Sequence, residues 1–308
     1  MRPSSARAVR ARLPAALAAV FLVVTGAGCG QQQDGGRERV AAASPPGTSQ
    51  PGDHPEGAAG HAGAALPSAH VHGVARNAGD GRVYLATHDG LFRHESSGYR
   101  RVGPVLDLMG FTVAGADHFY ASGHPGPGVD LPNPVGLIES RDGGRSWKAL
   151  SRQGQSDFHA LTASGTGVVG YDGQLVATRD GRSWRPLSAP VGPYSLAASP
   201  DGAVVVATSQ SGLVRSEDAG RTWRAVAGAP LLMIVDWVDA TTVTGVTPDG
   251  TAAISDDGGR TWVARGNAGG PPQALGAARG ADKAIELLVV TDGALVHSAD
   301  SGGTFSRG

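Results

Sequence analysis

The eight residues Ser140-Arg-Asp-Gly-Gly-Arg-Ser-Trp147 come back four more times before the chain ends. Ser216-Glu-Asp-Ala-Gly-Arg-Thr-Trp223 and Ser255-Asp-Asp-Gly-Gly-Arg-Thr-Trp262 keep the Ser, Asp, Gly, Ser/Thr and Trp positions. Thr178-Arg-Asp-Gly-Arg-Ser-Trp184 is one residue short, and Ser298-Ala-Asp-Ser-Gly-Gly-Thr-Phe305 closes on Phe. The copies open at positions 140, 178, 216, 255 and 298. A near-constant period of about 40 residues marks a propeller or solenoid, in which one repeat buries its apolar faces only against its neighbours.

Each copy stands between two short apolar runs, so it reads as a hairpin turn. The Asp carboxylate can accept hydrogen bonds from turn amides, the Gly can take a positive φ, and the Ser/Thr hydroxyl can tie the ends of the turn together. The closing Trp then has a large apolar surface to place between neighbouring sheets. From His70 onward, short apolar runs alternate with Gly, Asp and Pro turns, giving four strands per repeat and no helix. Blade one is expected over Val71 to Val102, with Glu95-Ser-Ser-Gly98 as a degenerate copy of the turn. Blade two is expected to start at Gly110, and the inner strands of the later blades near Phe158, Tyr194, Ile234 and Ala274. The expected fold is all-β, a six-bladed β-propeller of four-stranded antiparallel blades.

The repeated turn resembles the Asp-box, or BNR repeat, of sialidases and of many non-enzymatic propellers, and the resemblance covers about residues 70 to 308. It implies that Ser140, Asp142, Gly144, Trp147, Asp180, Trp184, Asp218, Trp223, Asp257, Trp262, Asp300 and Phe305 are structural and lie away from any active site. A calcium loop at Asp256-Asp257 does not fit, because the alternating ligands and distal Glu are missing.

The N-terminus carries a second message. Arg2, Arg7, Arg10 and Arg12 precede an apolar run from Leu13 to Val24, followed by Gly26-Ala-Gly-Cys29, the layout of a secretory signal. The ending resembles a bacterial lipobox, with Gly26 where Leu is usual. It implies a protein exported and lipid-anchored through Cys29 on the outer face of the cytoplasmic membrane; an ordinary cleaved signal with a spare cysteine is the alternative. Replacing Cys29 by Ser should release the protein from the membrane fraction, and retention there would argue against a lipid. Residues 1–28 are thus read as leader, 29–69 as a Gln-, Gly-, Ala-, Pro- and Ser-rich tether with His54 and His61, and 70–308 as the propeller. Of 26 basic residues four leave with the leader, so 22 face 27 acidic ones, a net charge near −5. Nucleic acid is excluded as a partner by the lack of clustered Lys and Arg.

Propeller connectivity sends the boxes to one end of the ring. To the other end go His70 and His72, the turn carrying His88, the stretch Ser122-Gly-His-Pro125 with His124, and Asp157 with His159. His and Asp are a workable ligand set for zinc or copper, and residues two apart on a strand share a side. The insertion Gly123 to Pro134 is expected to fold over the mouth between blades one and three. Met109, Phe111, Tyr194, Met233 and Trp237 are near inner strands, where core packing is favoured over lining a channel. Sialidase chemistry, implied by the resemblance, calls for three arginines on the substrate carboxylate, a Tyr activated by Glu, and an acid/base Asp. Asp157, Asp172 and Tyr171 are the residues nearest to that set, with no Glu beside Tyr171 and no Arg-Ile-Pro segment in blade one. The chain also resembles non-catalytic propellers of the photosystem assembly-factor and sorting-receptor kind. The favoured reading is an extracytoplasmic module binding a metal, small ligand, glycan or protein, with a glycoside hydrolase as the alternative.

Overall fold

The computed structural model describes residues 65–188 and 192–308; residues 1–28, expected as a leader, and Cys29, His54 and His61 lie outside the described residues. Blade 1 consists of β1 (Val71–Arg76), β2 (Val83–Thr87), β3 (Gly90–Glu95) and β4 (Gly98–Val102), and blade 2 of β5 (Leu106–Gly115), β6 (His118–Pro125), β7 (Leu137–Ser140) and β8 (Lys148–Ser151). Blade 3 follows with β9 (Ala160–Ser164), β10 (Gly167–Tyr171), β11 (Leu175–Thr178) and β12 (Trp184–Pro186), and blade 4 with β13 (Ser195–Ala198), β14 (Val205–Ser209), β15 (Gly212–Ser216) and β16 (Arg224–Ala225). Blade 5 is β17 (Ile234–Trp237), β18 (Val243–Val246), β19 (Thr251–Ser255) and β20 (Val263–Asn267); blade 6 is β21 (Pro272–Arg279), β22 (Ile285–Thr291), β23 (Ala294–Ser298) and β24 (Ser306–Arg307). Every blade is an antiparallel meander of consecutive strands, and no helix occurs among the described residues. The chain is a six-bladed β-propeller.

Burial explains the strand sequences. Second strands have a blade on each side, so β2 (VYLAT) and β14 (VVATS) are buried at every position and read as continuous small and apolar runs rather than alternating ones. Outermost strands such as β16 and β24 are exposed, short and polar. Towards the axis the innermost strands approach so closely that a side chain has no room. A Cβ on Gly110 would stand 2.1 Å from the Phe158 carbonyl oxygen, and one on Gly276 would stand 2.3 Å from that of Val74. Glycine at both places is a packing requirement.

The repeated turns make the bonds their residue types allow. Asp218 Oδ1 accepts from the Thr222 amide at 2.8 Å, Asp218 Oδ2 from the Thr222 hydroxyl at 2.6 Å, and Ser216 Oγ from the Gly220 amide at 2.8 Å. The turn at Asp257 repeats this with Thr261, that at Asp300 with Thr304, and that at Asp142 with Ser146. The short copy reaches the same end through the Ser183 amide and hydroxyl on Asp180. The Thr222 hydroxyl and amide hold the Asp218 carboxyl well below the usual carboxylate range.

The closing aromatics sit at the blade interfaces, between neighbouring sheets as expected, and are half-buried there rather than buried. Trp147 packs on the core shared by blades 1 and 2, Trp184 on that of 2 and 3, Trp223 on 3 and 4, Trp262 on 4 and 5, and Phe305 on 5 and 6. Trp223 and Trp262 turn their indole N–H groups back to Gly220 and Gly259 of their own turns, which keeps the ring near the rim. At the interface of blades 6 and 1 the place is taken by Tyr99, the residue that closes the degenerate copy Glu95-Ser-Ser-Gly98.

Blade 2 departs from expectation. Its inner strand begins at Leu106 rather than Gly110, and its partner runs to Pro125, because the ladder continues through Leu108↔Gly123, Asp107↔His124 and Leu106↔Pro125. The Pro-rich insertion therefore starts at Gly126. It does not cover the mouth: Val129 and Leu131 pack down on the core of blades 1 and 2.

Candidate functional site

In a meander, the first-to-second and third-to-fourth strand turns share one end of the ring, and the other connections share the opposite end. The Asp-bearing turns join third to fourth strands and take the first end. His70 before β1, His72 early in β1, His88 between β2 and β3, Asp107 at the start of β5, His124 at the end of β6, and Asp157 and His159 before β9 take the second. Between these ends runs a channel of about 640 Å³ lined by His72, Met109, Phe111, His159, Tyr171 and Tyr194, with Trp237 and Asp236 deeper in. Met109, Phe111, Tyr194 and Trp237 thus line the channel rather than only filling core, whereas Met233 packs on the core of blades 5 and 6.

Two groups of side chains form at the mouth. In the first, His88 Nδ1 lies 2.7 Å from Asp107 Oδ1 and His88 Nε2 lies 3.2 Å from His72 Nε2. A carboxylate only accepts, so the proton of neutral His88 is on Nδ1 and its Nε2 lone pair points at His72. His70 stands edge-on to His88 with ring centroids 5.5 Å apart. Burial, and next the neighbouring His88, push His72 down to about 4, so its imidazole is neutral at pH 7.

In the second group Asp157 Oδ2 lies between two rings, 3.2 Å from His124 Nε2 and 2.8 Å from His159 Nε2. His124 Nδ1 is anchored 2.6 Å from Asn133 Oδ1, in the insertion. The hydrogen bond that His159 gives to Asp157 raises His159 above the usual imidazole value. The second Asp157 oxygen, Oδ1, is buried without a hydrogen-bond partner. The five histidines are therefore not one cluster: His70, His72 and His88 gather around Asp107's side, and His124 and His159 flank Asp157.

The residues closest to a glycosidase set are held differently. Asp172 is paired with Arg152 at 3.3 Å, and Asp157 with its two histidines. Tyr171 lines the channel. Glu95, Glu139, Glu217 and Glu286 each pair with arginine. Deeper in, loss of hydration pushes Asp236 up to about 7, against the amides of Ala277 and Trp237 that bond it.

Asp107, Asn133 and Asp236 are site residues that sequence reasoning missed. Asp107 had a signal: Leu106-Asp-Leu108 alternates as a strand does, with one acid on the face opposite the leucines. Reading the strand from Gly110 left Asp107 in a connection. Asn133 and Asp236 carry no comparable signal.

No family model matches the chain, and no curated protein matches it. Among solved structures it is similar to a GH74 xyloglucanase from Xanthomonas campestris (20% identity, TM-score 0.55), covering 80% of this chain and 38% of the enzyme. It is also similar to a gluconolactonase, XC5397, from Xanthomonas campestris (12% identity, TM-score 0.57, 73% of this chain and 84% of that one). A chain of a nidogen/laminin complex matches at 14% identity and TM-score 0.56, over 73% of this chain and 92% of its own. Likeness at these identities extends to the propeller fold and no further.

Proposed function

We propose that the chain is an exported, lipid-anchored binding module whose ligand enters at the end of the ring bearing His70, His72, His88, His124 and His159. The observation that carries this is the convergence of side chains from three consecutive blades on the mouth of a channel, away from every Asp-bearing turn. The mouth offers the paired rings of His72 and His88 on one side, and on the other His159, whose hydrogen bond to Asp157 raises it above the usual imidazole value. That combination of ring nitrogens and carboxylates suits a polar ligand: a small molecule, a glycan or a polar protein loop. The membrane is the partner at the other end of the chain, through a lipid on Cys29. Solved propellers of similar shape include enzymes and a protein-complex component, so the fold alone does not choose.

The alternative, a glycoside hydrolase, needs two carboxyl groups facing across a scissile bond. Asp157 is already engaged by two histidines and Asp172 by Arg152, and no glutamate is bonded to Tyr171 among the described residues. The test joins two measurements on the full chain. Glycan and peptide arrays are expected to give binding that weakens roughly tenfold, about 1.4 kcal/mol, in His124→Ala and His159→Ala. Hydrolysis of xyloglucan and of a fluorogenic sialoside is expected to equal that of Asp157→Asn. Turnover abolished by Asp157→Asn would replace the binding reading with the enzymatic one.

A further inference from the structure

We infer that the His72 and His88 pair is a site for a divalent transition-metal ion, copper(II) in preference to zinc, with Asp107 setting the orientation of His88. The proposal rests on the histidine-bearing end being the binding end and names one of its ligands. Imidazole nitrogens bind such ions at about 2.0–2.1 Å, so two on one ion stand about 2.9–3.4 Å apart at angles from square to tetrahedral. The His72 and His88 Nε2 atoms are 3.2 Å apart. His72 Nε2, His88 and Asp107 present ligand-type atoms that all lie within 4.8 Å of one another.

The proton placement favours an ion as well. Asp107 holds the His88 proton on Nδ1 and so frees Nε2 as a lone pair, the carboxylate–histidine arrangement that raises the basicity of a metal-bound imidazole. Without an ion, His72 must donate its Nε2 proton to that lone pair. An ion between the rings takes both lone pairs, and His72 moves its proton to Nδ1. His70, at 5.5 Å between ring centroids, is the nearest third imidazole. With 39% of its side chain open to solvent, His88 leaves room for water on the remaining positions. Two or three imidazoles plus water suit copper(II) and zinc, and the general affinity order places copper(II) first.

The test uses the full chain extracted in mild detergent, stripped with chelator, and titrated calorimetrically with copper sulfate and with zinc sulfate. A single ion per chain is expected, copper(II) the tighter. His72→Gln and His88→Gln should each weaken binding by about 100-fold or more, and Asp107→Asn by roughly 10- to 100-fold. His94→Ala, on the outer part of blade 1, and the tether change His54→Ala with His61→Ala should leave it as it is. Electron paramagnetic resonance of the copper-loaded chain should show coupling to at least two nitrogens, a signature independent of variant folding. Absence of saturable binding by either ion overturns the metal site while leaving the array result of the binding reading untouched. Binding unchanged in the His72→Gln, His88→Gln double variant, or lost with the tether histidines, overturns it too.

Discussion

Phe158→Ala is expected to lower the stability of the propeller by about 3–5 kcal/mol, the range for deleting a fully buried aromatic where the cavity cannot collapse. Phe158 is 0% exposed and stacks on Trp184 with ring centroids 5.0 Å apart. Its walls are rigid. Its amide is fixed to Ser122 Oγ at 2.9 Å, its carbonyl oxygen sits where Gly110 can have no side chain, and Gly170 lies directly against the ring. None of these groups can move in without breaking a ladder. Because Asp157 and His159 flank Phe158 in sequence, the same change should loosen their hydrogen bond. Chemical denaturation of the full chain, followed through Trp fluorescence, measures the loss, and Phe158→Leu should restore most of it. A loss below about 1 kcal/mol would mean that the interface of blades 2 and 3 is far softer than its contacts imply.

Gly123→Ala should follow closely, at about 2–4 kcal/mol from left-handed backbone strain together with overpacking. Gly123 has φ +143°, and a Cβ there would lie 1.9 Å from the Asp107 carbonyl oxygen and 2.9 Å from the Met109 amide nitrogen. The clash is with backbone of the paired strand, so no side-chain rotation relieves it. Gly128→Ala is the control: its φ is +79°, but nothing lies within 4 Å of the new carbon, so only the strain of roughly 1–2 kcal/mol applies. Melting of the two variants side by side separates the effects. Equal losses would show that crowding at Gly123 is relieved by the strand moving. Since Asp107 and His124 face each other at this point of the ladder, Gly123→Ala should also weaken whatever the mouth binds.

The ring of six blades was legible because its signal is periodic and local. A Ser, an Asp, a Gly and a Trp at fixed spacing specify a turn whose bonds close within eight residues, and the structure makes those bonds in each copy. Departures from the period were harder. In blade 2 the long strands β5 and β6 pass through Gly110 and Gly123, residues that ordinarily mark strand ends, and Asp107 disappeared from view with the first four positions. Prolines made the insertion look like a lid, while Val129 and Leu131, which hold it down on the core, were the better guide. The tryptophans could be placed between sheets from their apolar area, but that area does not tell the direction of the indole N–H, which leaves the rings half-buried. The histidines could be assigned to an end of the ring by counting strands. Which of them meet depends on the spacing between blades around the axis, a distance no local pattern encodes.

The blades are each contiguous in sequence, the first and last included, and among the described residues no strand from one terminus completes the sheet at the other. Blades 6 and 1 are joined without a shared strand: by the apolar contact of Val74, Leu85, Ala274 and Leu288, the Arg76–Glu286 pair, and Gln273 accepting from the Val71 amide. A ring sealed by a shared strand has to unzip a hydrogen-bonded ladder before it can part. In this one the two packed faces are held together without a shared strand, so parting them would break no ladder within a sheet. Opening of the ring at this seam is thereby separable from unfolding of its blades, because the line between the last repeat and the first is bridged by packing and side-chain bonds and by no strand of the described residues.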